Sequence, residues 1–445
     1  MSIQDAGADA LSHIPGRKGL PYLGVALDFV RDPYAMGRRQ HARYGDVSRT
    51  YMLGGWSVNL AGADAVEYVL TDPDRIFSSR RGWRLLTELF PGGLMLRDHE
   101  DHRAHRRVMQ PAFRAAAMQD YLDRMNGGIA ALLPEWGARG ELRFYPAIKE
   151  LTLKLGAAVF MGLPLDGAEA ARLNRAFQDE VAASLALVRA PLPLTTYRRG
   201  LEGRRYLTRE FARMIPERRA TPGADFFSQM VGDDTGWSET EIIDHLNFLM
   251  MAAHDTTTSA LTTMIGALVD HSEWQDAIRA EIGAIGGDAL RYEDAGRMEI
   301  TDRVFREALR LRPPVPFIPR RAEADFVWQG VAIPAGAHVG ISPGLVMMSE
   351  EWWSDPERFD PDRFAPDRAE DRRHRFAWAP FGGGAHKCIG LHFAVLQAKA
   401  FAFQFLRAYR VEKTPATDGT WARVPIPRPR NGLPVRLVPL GAARA

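Results

Sequence analysis

The longest run of apolar positions in the chain lies in "WSETEIIDHLNFLMMAAHDTTTSALTTMIGALVDH". Ser238 and Glu241 stand three apart at its start. At that spacing a hydroxyl and a carboxylate can each satisfy a free N–H of a first helical turn. The pattern predicts a helix of about 30 residues, apolar nearly all round and therefore threaded through the interior. Asp244, His245, His254, Asp255 and the many threonines argue against a membrane span.

Other elements follow from similar signals. "DPYAMGRRQHARYGDV" reads as a short helix, and "SRTYMLGGWSVNLAG" as a hairpin around its Gly pair. From Asp64 onward helical patterns dominate. Ser272 and Gln275 repeat the capping spacing at the start of "SEWQDAIRAEIGAI". "DRVFREALRLRPP" is a helix stopped by Pro313 and Pro314. Short strands are expected in "RRAEADFVWQGVAIPAG" and in "RPRNGLPVRLVPL", the latter as a tight hairpin at Asn431–Gly432. The chain is thus mainly α with small antiparallel β-sheets. Residues 1–12 read as a frayed start, and residues 13–445 contain no linker and no internal repeat.

Composition narrows the classes. Fifty-seven Lys and Arg against 55 Asp and Glu give a net charge of +2, no footprint for nucleic acid. The N-terminus has neither a signal-peptide core nor a spanning run, which points to the cytoplasm. The single cysteine excludes an intrachain disulfide and suits a reducing compartment.

That cysteine, Cys388, sits in "FGGGAHKCIG". A thiolate is a soft ligand for iron, and it needs nearby donors or positive charge to stay ionised. The glycines let backbone N–H groups come close. The following "IGLHFAVLQAKAFAFQFL" reads as an amphipathic helix, so Cys388 lies just before a helix N-terminus, which favours an anion. From position alone, a small buried hydrophobe and a metal ligand both remain open readings.

The segment resembles the haem-binding loop of the cytochrome P450 family. Phe381, Gly382, Gly384, His386, Cys388 and Gly390 fill its places, with His386 where Arg is commoner. Three further motifs match in order. "EALR", with Glu307 and Arg310 on one helix face, is similar to the family's ExxR pair, and Arg358 in "DPERFDPDRF" to its meander arginine. "AAHDTT" resembles the oxygen-activation motif, with Ala252 leaving room for a ligand and Asp255 and Thr256 as the proton-delivering pair. His254, pointing elsewhere, reads as structural or solvent-linked. His102 and Arg106 in "HEDHRAHRR", together with Arg320, match contacts to the haem propionates, groups that cannot be buried unpaired.

The resemblance implies a single-domain, triangular-prism fold with haem b between the long helix and the cysteine loop. Cys388 would be the axial ligand of the iron. It implies a monooxygenase that takes O2 and two electrons from NAD(P)H. One cysteine cannot build an iron–sulfur cluster. A separate donor is therefore expected, a ferredoxin with its reductase or a flavodoxin-type protein. Arg103, Arg107, Arg114 and Lys387 are a candidate basic docking surface. Apolar segments suggest a small lipophilic substrate, such as a fatty acid, steroid or terpenoid. The pocket candidates are Leu85, Leu86, Phe90, Phe248, Val315 and Phe317. Two other readings stay open: a peroxygenase or isomerase, separable by turnover with hydrogen peroxide alone, and a gas sensor, separable by its indifference to lipophilic compounds.

Overall fold

The protein was analysed as a computed structural model, which describes residues 6–163, 167–184, 186, 189–223, 225–232 and 236–441. Helices carry most of the chain, and the sheets are small. The long helix spans Glu239–Asp270. Ser238 accepts from Glu241 N–H, and the Glu241 side chain returns a bond to the Ser238 N–H, so both orphan donors are satisfied as expected. The helix is buried along most of its length and packs on the helices Phe144–Met161, Thr196–Ala220 and Glu299–Leu311.

The second expected cap does not form. The cap position of helix Ser272–Ile285 falls one residue earlier than expected, on His271, whose side chain makes no cap bond. Gln275 is instead buried, donating to Leu268 O and Val411 O and accepting from Val411 N. It ties that helix to the strand Tyr409–Lys413. A long-range partner for a buried amide outweighs a local bond that water could replace.

The hairpin Val47–Met52/Gly55–Leu60 forms as read. It belongs to a six-stranded sheet in which two pairings are parallel. Gly16–Arg17 runs alongside Val47–Met52, and Gly55–Leu60 alongside His338–Ile341. This sheet is therefore mixed, while the three smaller sheets are antiparallel. The parallel pairing sets Val58 against Val339, both buried. The short strands expected next are Phe326–Trp328 and Val331–Ile333, which pair with each other as an antiparallel hairpin.

Asn431–Gly432 makes no hairpin. Arg428–Pro429 pairs with Trp421–Ala422, while Pro434–Pro439 joins Tyr409–Lys413 and Glu141–Arg143. That sheet buries Val435 and Leu437, which a local hairpin would leave half in water. The chain start also differs from its reading. Leu11 and Ile14 are fully buried, and Arg49 donates to the carbonyls of Ala8 and Ser12. Residues 1–5 lie outside the described part.

Helix Leu391–Ala408 is not amphipathic: every residue from Leu396 to Leu406 is buried. Among the described residues, one stretch, Gly384–Ala408, is long and apolar enough to cross a membrane, and 67% of its most apolar window is buried inside the protein. Helix Leu391–Ala408 follows the cysteine loop and packs on the helices Ala115–Arg139 and Ser272–Ile285.

Candidate active site

One cavity of about 1600 Å³ lies between the long helix and the cysteine loop. Cys388, Phe381, Gly382, His386 and Gly390 line it from the loop, Ala252, Asp255 and Thr256 from the long helix, and His102, Arg106 and Arg320 from its side. Residues scattered over nearly 290 positions of sequence thus meet in one space. Leu85, Leu86, Phe248, Val315 and Phe317 line it as well. Phe90 does not. It is fully buried behind the wall, edge-on to Phe248 at 6.4 Å between ring centres.

The loop is shaped by close contacts. Gly384 has φ +60°, and a Cβ there would stand 1.8 Å from Leu70 O. The Cys388 N–H donates to Phe381 O at 2.9 Å, closing the turn. The Cys388 side chain opens into the cavity, with protein packed around the rest of it. Burial raises its pKa, opposed by the Gly390 N–H and by the charges of Arg106 and Lys387. These opposing groups are the ones that would hold a thiolate once a metal takes its charge.

The cavity's side wall carries four basic side chains. His386 lies 4.0 Å from His102 between ring centres. Burial, then His102, Arg320 and Arg106, push His386 down to about 2. His102 is lowered to about 4 by burial and by Arg106, and Arg320 to about 10 by burial, which Asp98 and Asp72 only partly offset. Arg106 is lowered as well, chiefly by burial. Two arginines and two histidines, their basicity lowered chiefly by burial, form a donor set suited to negative charge. The two propionates of a porphyrin would supply it, and Cys388 would hold the iron. The donor set therefore fits haem.

On the long helix, the Thr256 hydroxyl donates to Ala252 O at 2.6 Å, leaving its lone pairs free to accept from a group in the cavity. Asp255 Oδ1 lies 3.0 Å from Lys149 Nζ and 3.2 Å from His254 Nδ1. Burial alone would raise the Asp255 carboxyl, but His254 and Lys149 together hold it below the usual carboxylate range. His254 Nε2 also bonds Lys149 O at 3.2 Å. His254 is thus part of the carboxylate's setting. Lys149 comes from helix Phe144–Met161, and nothing in its sequence neighbourhood marks it.

Glu307 and Arg310 are fully buried and joined by two hydrogen bonds of 2.7 and 2.9 Å. Their third side chain is Arg363, not Arg358. Arg363 Nε reaches Glu307 Oε1 at 3.3 Å, and its guanidinium also serves the carbonyls of Ser354, Asp355 and Arg358 and the Glu370 carboxylate. The Arg358 side chain is exposed, and only its carbonyl takes part, accepting from Arg310 and Arg363. Both arginines fall in "DPERFDPDRF", and only the fold decides which one turns inward.

Fold and site together define a haem-thiolate enzyme that activates oxygen. The chain belongs to the cytochrome P450 family, whose model matches residues 14–422. It is 36% identical to a putative cytochrome P450 136 of Mycobacterium tuberculosis over 96% of this chain and 89% of the relative. It is 28% identical to abscisic acid 8'-hydroxylase 2 of Oryza sativa subsp. indica, over 95% of this chain and 86% of that one. Among solved structures, the retinoic acid-bound cyanobacterial CYP120A1 superimposes with a TM-score of 0.87 at 29% identity, covering 99% of this chain and 100% of that one. The protein is a haem-dependent monooxygenase.

Proposed function

We propose that the protein hydroxylates a lipophilic substrate of isoprenoid character, with electrons from NAD(P)H delivered by a separate ferredoxin or flavodoxin-type donor. The observation that carries this is the apolar upper wall of the cavity. Leu85, Leu86, Phe248, Val315 and Phe317 line the same cavity as Thr256 and Cys388. Such a wall rewards burial of hydrocarbon and offers few polar groups to orient a hydrophilic compound. The solved relative holds retinoic acid and another relative is named for abscisic acid; both compounds are isoprenoids. Residues 13–445 are read as one unit, because the cavity draws its lining from Val25 through Ile426.

Haem, when bound, supplies the oxygen activation. The chain's residues do the rest. Cys388 would hold the iron, and His102, Arg106, Arg320 and His386 the propionates. Asp255 would pass protons from Lys149, whose side chain is 30% exposed, toward the cavity, and Thr256 would accept a hydrogen bond there. Positioned proton transfer of this kind contributes roughly 10²–10⁴-fold. Arg103, Arg107, Arg114 and Lys387 are exposed near the cysteine side and would steer an acidic donor. Reversing two of these charges should lower the reduction rate and flatten its salt dependence. The single cysteine fits a reducing cytoplasm.

The test is a Soret titration of the purified protein with isoprenoid acids, fatty acids and steroids. A saturable spin-state shift with the isoprenoids supports the reading, and silence across all three classes defeats it. The reduced protein with carbon monoxide should give the red-shifted thiolate band, and Cys388→His should abolish it.

A further inference from the structure

An arginine drawn into a protein is usually met by a carboxylate. Arg312, which closes the helix Glu299–Leu311, is not. The side chain is half-buried. Among the described residues its guanidinium has no ion pair and no hydrogen bond, and its ring contact is the face of Trp421 at 4.6 Å. Burial lowers its pKa and Arg423 lowers it further, against the pull of Tyr34 and Asp270.

Arg423 lies two residues beyond Trp421, and its guanidinium covers the ring of Tyr34 at 5.3 Å. The Tyr34 hydroxyl is buried without a hydrogen-bond partner. Burial raises its pKa, while Arg423 and Arg312 both oppose the rise, so the two guanidinium groups stand near the phenol oxygen. Tyr34 belongs to the helix Pro33–Tyr44. Three segments remote in sequence thus bring donors to one place.

The carboxylates that act on this group are already engaged. Lys413 holds Asp270 at 2.5 Å. Asp32 Oδ1 accepts from the Ala35 N–H at 2.9 Å as a helix cap and stands 3.8 Å from Arg423. Two guanidinium groups and a phenol O–H offer many donors and almost no acceptor. A planar carboxylate serves one guanidinium fork at a time, whereas a phosphate presents oxygens in several directions and can take donors arriving from three elements.

The group stands against the wall of the active-site cavity without lining it. Pro314–Phe317, just after Arg312, and Val424–Ile426, just after Arg423, both line the cavity. Phe317 also packs on Tyr34, with ring centres 5.9 Å apart. Ser259, fully buried on the long helix, donates to Pro427 O at 2.7 Å and pins the far end of the second stretch. Its near end begins at Arg423, whose charge repels that of Arg312. An anion between the two arginines would turn this repulsion into a bridge.

We propose that Arg312, Arg423 and the Tyr34 hydroxyl bind phosphate, and that the bound anion draws Pro314–Phe317 and Val424–Ile426 together and tightens the cavity around its ligand. The site takes nothing from the proposed substrate class, so either reading can fail while the other stands.

The experiment is calorimetric titration of the haem-loaded full-length protein with potassium phosphate, against potassium chloride at equal ionic strength. Phosphate should bind saturably and raise the thermal midpoint, and chloride should do neither. Arg423→Gln changes a side chain that is 46% exposed. It should weaken phosphate at least about tenfold while keeping the wild-type Soret spectrum, and Arg312→Gln should weaken it as much. Tyr34→Phe should weaken phosphate about three- to tenfold, yet raise the midpoint measured without phosphate, because it removes a buried donor that has no acceptor. In a Soret titration with phenylimidazole, phosphate should lower the wild-type Kd at least about threefold and leave that of Arg423→Gln unchanged. Absent phosphate binding, binding that chloride matches, or binding that Arg423→Gln retains overturns the site. Phosphate binding that leaves the wild-type phenylimidazole Kd unmoved overturns the coupling to the cavity.

Discussion

Replacing Arg363 by alanine tests the buried ion network. Arg363 is 1% exposed. Its guanidinium serves two carboxylates, Glu307 and Glu370, and three carbonyls. Without it, Glu307 keeps Arg310 and the Asp360 N–H, and Glu370 keeps Arg368 and the Ser354 N–H. The carbonyls of Ser354, Asp355 and Arg358 lose their Arg363 donor, and each of the two buried carboxylates loses one of its cationic partners. Breaking a buried ionic network by deleting one member costs about 3–5 kcal/mol. At 1.4 kcal/mol per decade this is two to nearly four orders of magnitude in the folding equilibrium. Arg358→Ala removes an exposed side chain and leaves its carbonyl in place, so its cost should stay within about 0.5 kcal/mol. Arg363→Lys keeps the charge but cannot reach all five acceptors, and should fall between the two. Urea unfolding followed by tryptophan fluorescence, with haem retention measured in parallel, ranks the three variants. If Arg358→Ala is as damaging as Arg363→Ala, or if Arg363→Ala is neutral, the assignment of the inward arginine is wrong.

Gly384→Ala should cost at least about 1–2 kcal/mol in conformation alone. The clash with Leu70 O adds to this, so the purified protein should hold little haem. Gly45→Ala, at φ +81° with open space around it, should show only the conformational part in its thermal midpoint. Lys149→Ala should lower product formed per NAD(P)H consumed by roughly tenfold. The same variant should move acid unfolding to higher pH. A depressed folded pKa at Asp255 contributes stability above the ordinary carboxylate range, lost as pH falls through the folded value, and removing Lys149 raises that value. Glu180 is fully buried, and burial raises its carboxyl to about 8 despite Arg204 at 3.7 Å. A raised folded pKa means stability that is complete below the ordinary pKa of 4.5 and lost as pH rises through about 8. Glu180→Gln should therefore melt higher than the wild type at pH 8 and above, with the gap closing toward pH 4.5; an equal difference at both ends would refute the burial argument.

Several arrangements at short spacing were legible in the sequence, though the same spacing at Ser272–Gln275 made no cap. The Ser238–Glu241 cap, the Glu307–Arg310 pair one helical turn apart, the Asp255–Thr256 pair and the glycines around Cys388 are local arrangements, and local geometry follows from the neighbouring residues. The long helix and the Val47–Leu60 hairpin were legible for the same reason. Tertiary structure decided whatever needed a distant partner. Lys149 meets Asp255 across 106 positions of chain, Arg363 rather than Arg358 turns inward, and Pro434–Pro439 leaves its local turn to pair with Tyr409–Lys413. In each case a buried contact with a remote element is worth more than the nearby alternative, because burial removes the competition from water that makes local choices nearly equal in free energy. Sequence fixes which chemical groups are available; only the packed chain determines which of them lose their water and must find one another.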